Sequence, residues 1–357
     1  MLKKDKSEKV NNTENFSPEV FKKIQQARKL QPRTEELISS ILSGDVGALS
    51  RAITLIESNN PNHFANAKAL INVCLSHTKQ SIRIGITGVP GVGKSTFIEA
   101  FGKHLTRQGK KVAVLTIDPS SSISHGSILG DKTRMEELAK DSNAYVRPSA
   151  SGETLGGVAR KTRETITLCE AAGFDIIIIE TVGVGQSEIA VHSMVDFFLL
   201  LQIAGAGDEL QGIKRGIMEM ADAVVINKAD GDNVAKAIVA KTELSRALHL
   251  FPPKKSEWTP TVSTCSAKTQ EGITEIEQII VNYIETTKNN GYFDRKRAEQ
   301  NEYWLLETIN NQLKEDFFNH PEIRDLLEKT KKAVQNNESS PFAAAQLLLE
   351  TYFKNKP

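Results

Sequence analysis

The chain has 357 residues, with 45 basic and 44 acidic side chains for a formal net charge of +1, and 6% aromatics. That balance leaves no electrostatic footprint for nucleic acid or an anionic membrane, and the aromatics are too few for a base-stacking platform. No apolar run reaches the ~18–20 residues of a membrane span, the Lys/Asn/Glu-rich N-terminus has no apolar signal core, and Cys74, Cys169 and Cys265 fit no zinc or disulfide spacing; a soluble cytoplasmic protein in a reducing compartment is expected.

Residues 1–16 read as disordered, and from Pro18 to about Thr78 the pattern is helical. Leu49, Ile53 and Ile56 follow a 3.6-residue period after an Asp45 N-cap, as do Phe64, Ala67, Leu70, Ile71, Cys74 and Leu75. The middle of the chain alternates helices with strands expected at Ile82–Thr87, Val112–Ile117, Phe174–Ile179, Phe197–Ile203, Ala223–Ile226 and Thr261–Cys265. Several are continuous apolar runs, the mark of a mostly parallel sheet covered by helices on both faces, an α/β fold. After about Ile284 only helices are expected: one with Trp304, Leu305, Ile309 and Leu313, one with Ile323, Leu326, Leu327 and Val334, and one opened by Ser340-Pro341 and carrying Ala344, Ala345, Leu348 and Leu349. The division that follows is an N-terminal tail and helical extension over 1–80, an α/β domain over 81–285 and a helical arm over 286–357.

The first expected strand runs into Gly88-Val89-Pro90-Gly91-Val92-Gly93-Lys94-Ser95-Thr96, the G-x-x-x-x-G-K-[ST] phosphate-binding loop, with a helical pattern behind it. Glycines let backbone N–H groups turn onto a β-phosphate, Lys94 reaches the β- and γ-phosphate oxygens, Ser95 ligates Mg²⁺, and the helix N-terminus adds positive potential. This is a P-loop nucleoside-triphosphate site.

Asn227-Lys228-Ala229-Asp230, at the end of another strand, is the N-K-x-D pattern. The Asp230 carboxylate can accept from guanine N1–H and N2–H. Adenine offers neither donor, so its binding would leave a buried carboxylate unpaired, a discrimination of about 10⁴-fold. Asn227 can meet the base's acceptors, the Lys228 stem can lie along the ring, and the backbone of Ser266-Ala267-Lys268 at the end of the next strand suits guanine O6. The expected ligands are GTP and GDP.

Three acids surround the expected phosphate site. Glu180 ends a strand and opens Glu180-Thr181-Val182-Gly183, an E-x-x-G where many GTPases have D-x-x-G. Glu180 should lie near Mg²⁺ and the Gly183 N–H should meet the γ-phosphate. Asp118 ends a second strand, and Asp131 lies in a Ser/Gly-rich loop from Ser120. Three carboxylates exceed what Mg²⁺ needs, so one could position water or a switch loop. Val184 stands where small signalling GTPases place a water-orienting Gln, so slow intrinsic hydrolysis is expected, with Gln186, Lys214 and Arg215 as candidates to help complete the site.

Three peptides, Glu180–Glu188, Asp208–Gly216 and Ile128–Met135, resemble those of the methylmalonyl-CoA mutase-associated GTPases, the bacterial MeaB type, some of whose members were labelled arginine/ornithine transport kinases. The resemblance runs from about residue 35 to the C-terminus. It implies a fold similar to the signal-recognition and nickel-chaperone branch of P-loop GTPases and a homodimer joined by the C-terminal helices. It also implies Mg²⁺ and catalytic roles for Asp118, Asp131 and Glu180, a second switch at Gly183–Glu188, and a third at Gly207–Arg215 that makes Lys214 and Arg215 switch residues. The implied partner is an adenosylcobalamin-dependent acyl-CoA mutase, with methylmalonyl-CoA mutase first in line and GTP hydrolysis gating cofactor loading and protecting or reactivating that enzyme. Glu153 departs from the pattern, since the position before Thr154 is commonly Gly in the family.

Three other readings compete. A nickel-insertion GTPase would need clustered Cys/His ligands near the switches, where the sequence offers only isolated Cys169, His125 and His192. A transport-system kinase is disfavoured by N-K-x-D, and a non-enzymatic GTP-dependent scaffold is compatible with slow turnover.

Overall fold

The computed structural model describes residues 34–58, 60–117, 135–148, 155–181, 187–205 and 215–354. Among these residues seven strands form one parallel sheet. They are β1 (Ile82–Gly88), β2 (Val112–Ile117), β3 (Ala144–Arg147), β4 (Ile176–Thr181), β5 (Phe197–Ile203), β6 (Ala223–Asn227) and β7 (Thr261–Thr264), in the order β3-β2-β4-β1-β5-β6-β7. From β1 the chain lays β2 and β3 on one side, returns with β4 between β2 and β1, and then crosses to build β5, β6 and β7 on the other. Ligands of open α/β sheets bind beside such a switch, at the carboxyl ends of the strands.

Both faces are covered, which is why the strand sequences are continuous apolar runs. On one face Ile84, Ile86, Ile176 and Ile178 pack against Phe97 and Phe101 of α4 (Lys94–Arg107) and Ile276, Ile280 and Tyr283 of α10 (Ile273–Asn289). On the other, Ile177, Ile179 and Phe198 meet α1 (Thr34–Leu42), α2 (Val46–Glu57), α3 (Pro61–Leu75), α6 (Leu155–Ala171) and α7 (Ser187–His192). The N-terminal helices therefore share a core with the sheet. Gly85 of β1 lets α7 come close: a Cβ there would stand 2.8 Å from both Val191 Cγ1 and Phe198 Cδ2. A third, smaller cluster covers β5, β6 and β7 with α9 (Val234–Leu248).

Several sequence expectations shift in detail. β3 went unforeseen, and the strand expected at Phe174–Ile179 begins two residues later and runs through Glu180 and Thr181. Asp175 instead lies just before β4, its carboxylate accepting at 2.8 Å from the N–H of Lys111, just before β2. Asp45 caps α2 as expected, accepting from Ala48 N–H at 2.7 Å, and Ser340 accepts from Ala343 N–H at the start of α13 (Pro341–Lys354). Beyond α10, α11 (Tyr292–Asn319) is followed by α12 (Pro321–Gln335), and Ile323 packs with Leu348 and Tyr352 of α13.

The first turns of α11 are locked to the sheet through charge. Arg297 donates from Nε and Nη2 to the two Asp196 oxygens at 2.8 and 2.7 Å, and from Nη2 to Ser81 O. Arg83 donates to both oxygens of Glu170 and, through its N–H, to Asp196. Gln300 Nε2 and Trp304 Nε1 donate to the carbonyls of Val195 and Ser193.

Candidate functional site

β1 ends at Gly88, the loop turns through Val89–Gly93, and α4 begins at Lys94. Gly93 occupies the helix N-cap with φ 93°, in the left-handed region, and no side chain caps α4 there. Backbone N–H groups at the helix start are thus left for a ligand, and an anion is the suited one. A Cβ on Gly93 would stand 2.8 Å from Asn227 Nδ2, so only glycine lets the phosphate loop lie against the N-K-x-D segment. Lys94 curls back over the loop, donating from Nζ to Gly88 O at 2.8 Å and Val89 O at 3.3 Å. Burial pushes its ammonium below the usual lysine range, while Glu180 and Glu188 act in the opposite sense. Ser95 Oγ donates to Glu180 Oε1 at 3.3 Å, which puts two hard oxygen donors side by side, a set suited to Mg²⁺. Val92 is buried in the core while its carbonyl faces the base motif, and Thr96 is exposed.

The base motif is stitched to this loop. Asn227 Nδ2 donates to Val92 O at 2.9 Å, and Lys228 Nζ donates to Gly91 O at 2.7 Å. Lys228 itself has φ 59°, unusual for a side-chain-bearing residue and found where surrounding contacts hold it. Ala267 N–H donates to Asn227 Oδ1 at 3.2 Å, and Ser266 Oγ donates to Asp230 Oδ2. Asn227 and Ser266 are buried, Asp230 is half-buried and Lys268 is exposed. Asn227, expected to meet the base, also ties three segments together through its amide. Asp230 keeps carboxylate capacity beyond the Ser266 bond.

Lys94, Ser95, Glu180, Asn227, Lys228, Asp230, Ser266 and Ala267 thus gather at the carboxyl ends of β1, β4, β6 and β7. Asp118, Asp131, Glu153, Gly183, Val184, Gln186 and Lys214 lie outside the described residues, as does His125. Arg215 begins α8 (Arg215–Met220), pairs with Glu219 and stacks its guanidinium 5.7 Å from the Phe251 ring centre. Cys74, Cys169 and Cys265 are free and buried; burial raises all three thiols, Cys74 to about 11 and Cys265 to about 12. Among the described residues no group of three His, Cys, Asp or Glu is arranged to hold a metal ion, and no helix is long and apolar enough to cross a membrane.

Sequence reading missed one cluster. At the ends of β1 and β4, Thr181 donates to Thr87 and Thr87 to the fully buried Glu188 of α7. A signal existed: polar residues end otherwise apolar strands, and an acid interrupts a short apolar helix.

Residues 49–322 match the family described as methylmalonyl Co-A mutase-associated GTPase MeaB. GTPase ArgK of Escherichia coli is 44% identical over 315 residues, spanning 88% of this chain and 95% of the relative. The mitochondrial methylmalonic aciduria type A homolog of Mus musculus is 45% identical over 334 residues, 91% of this chain and 80% of the relative. The crystal structure of an LAO/AO transport system kinase superposes with a TM-score of 0.72 at 38% identity, covering 90% of this chain and 99% of that one. With that match spanning most of a P-loop sheet whose phosphate and guanine motifs are bonded to each other, the chain belongs to the MeaB family of mutase-associated GTPases.

Proposed function

We propose that this GTPase is the chaperone of an adenosylcobalamin-dependent acyl-CoA mutase, methylmalonyl-CoA mutase foremost. In this reading GTP hydrolysis gates cofactor loading and protects or reactivates the mutase. The observation that carries the partner is the family match over residues 49–322, supported by the methylmalonic aciduria name of the mouse relative.

The described residues support a division of labour. Asp230 takes the guanine N1–H and N2–H, and the backbone of Ser266-Ala267-Lys268 faces O6, with Asn227 holding that corner against Val92. Lys94 moves its ammonium from the Gly88 and Val89 carbonyls to the β- and γ-phosphate oxygens, exchanging neutral acceptors for charged ones. Ser95 and Glu180, with Asp118 and Asp131, would hold Mg²⁺. The metal would supply charge neutralisation across the β- and γ-oxygens. The Gly183 N–H would face the γ-phosphate, and Lys214 belongs to the switch that reports to the mutase. The protein works in the cytoplasm as a homodimer held by its C-terminal helices, whose Leu305, Ile309 and Leu313 stand exposed.

Phosphate release from GTP, measured with and without purified adenosylcobalamin-dependent methylmalonyl-CoA mutase, tests the proposal. Stimulation is expected, because Val184 offers no water-orienting group of its own. No stimulation by any acyl-CoA mutase would overturn the partner, and equal affinity for ATP and GTP would overturn the base reading.

A further inference from the structure

On the sheet face away from α4, the ends of β1 and β4 turn from apolar to hydroxyl. Thr181 Oγ1 donates to Thr87 Oγ1 at 2.9 Å, and Thr87 Oγ1 donates to Glu188 Oε1 at 3.5 Å. Ser187 Oγ donates to the other Glu188 oxygen at 3.4 Å. All four residues are buried, Ser187 and Glu188 completely. The direction of the chain is set by chemistry: an ionised carboxylate only accepts, and each hydroxyl has one proton to give. Thr181 therefore points to Thr87, and Thr87 to Glu188.

Two long hydroxyl contacts are poor compensation for a fully buried carboxylate. If α7 served packing alone, a leucine would fill the place at lower cost. Both Glu180 and Glu188 act electrostatically on the Lys94 ammonium, Glu180 the more strongly. Thr87 immediately precedes Gly88, whose carbonyl holds the Lys94 ammonium. Thr181 immediately follows Glu180, the partner of Ser95. The hydroxyl chain thus joins the two strand ends that carry the phosphate lysine's resting acceptor and the expected metal-side carboxylate.

We infer that Glu188 is a positioning residue for GTP hydrolysis: through Thr87 and Thr181 it fixes the ends of β1 and β4 relative to each other. The inference deepens the GTPase reading and rests on it. Among the described residues the hydrogen bonds of Glu188 run to Thr87 and Ser187 and not to the base motif, so its loss should slow turnover more than it weakens binding.

The test uses the full chain, with GTP turnover per nucleotide-binding site and GDP affinity followed by a fluorescent GDP analogue. Glu188→Gln is expected to lower kcat at least tenfold while GDP affinity stays within about threefold of wild type. Thr87→Val should act in the same direction, and Thr87→Ser, which keeps the hydroxyl, should recover at least half the wild-type rate. If Glu188→Gln does not fold, the Thr87→Val and Thr87→Ser pair decides alone. Wild-type kcat in both Glu188→Gln and Thr87→Val, or a loss that Thr87→Ser shares in full, overturns the inference. A wild-type protein that turns over no GTP would overturn the underlying GTPase reading instead.

Discussion

Asp230 and Asn227 stand three residues apart and do different work. Both lie at the end of β6, yet Asn227 is buried with each end of its amide engaged within the protein, while Asp230 is half-buried with a carboxylate accepting one hydroxyl. In the proposed reading Asp230 therefore carries base choice, while Asn227 also closes the structure between the two motifs. Asp230→Asn replaces an acceptor by a donor at the guanine N2 position, and a xanthine base, with a carbonyl there, then fits. The expected outcome is a shift of preference from GTP toward xanthosine triphosphate by two orders of magnitude or more, about 3 kcal/mol, read from competition with a fluorescent nucleotide; unchanged preference would remove Asp230 from the base site. At this scale the motifs were legible in the sequence, because each is a contiguous backbone device. The Thr87–Thr181–Glu188 chain was not, because its members lie 94 and 101 residues from Thr87 and meet only when β1, β4 and α7 are packed.

α11 shows how an element can have two faces that sequence periodicity blends into one. Trp304, Leu305, Ile309 and Leu313 read as a single apolar stripe, but Trp304 is buried with its Nε1–H on Ser193 O, whereas Leu305 is 60% and Leu313 51% exposed. The buried face is fastened by Arg297 and Asp196. Burial alone would raise the Asp196 carboxyl, but the Arg297 and Arg83 hydrogen bonds and charges hold it below the usual aspartate range. Stability from this group is full above the ordinary unfolded value of about 3.9 and is lost as pH falls below it toward the depressed folded value. Arg297→Ala leaves Asp196 buried without its main partner and should cost about 3–5 kcal/mol in urea unfolding; a loss below ~1 kcal/mol would mean the pair is dispensable to the docking of α11. His192, at the end of α7, is pushed by burial, and further by Lys296, down to about 4. The fold therefore favours its neutral form. That contribution is complete above the unfolded value of about 6.5 and is lost as pH falls toward 4, with a slope approaching about 1.4 kcal/mol per pH unit. The urea midpoint should drop between pH 7 and pH 5 in wild type and drop less in His192→Phe. Equal drops would assign the pH dependence to other groups. The β3 strand escaped the sequence reading for a different reason: Ala144–Arg147 is four residues long at the sheet edge, with only Tyr145 and Val146 buried, too short to carry a periodicity.

For the whole molecule, the C-terminal helices carry apolar side chains that stand exposed among the described residues. Leu305, Ile309 and Leu313 on α11, with Phe342 and Phe353 on α13, are exposed, and the proposed homodimer would bury them. Ile309→Glu combined with Leu313→Glu is expected to give a monomer by light scattering while GDP binding is kept, since neither residue contributes to the nucleotide site. A dimer that survives both changes would move the interface elsewhere.

The nucleotide, the parallel sheet and the family were readable from the chain alone. Phosphate loops and N-K-x-D turns act through a few consecutive residues, and a doubly covered parallel strand announces itself as an apolar run. Only the folded chain decided which of those residues cooperate. It made Asn227 a tie between two motifs 130 or more residues apart, set Glu188 against Thr87, and split α11 into an anchored face and an exposed one. Each of these depends on long chain closures, and the side chains involved find their partners through tertiary packing rather than through spacing along the sequence.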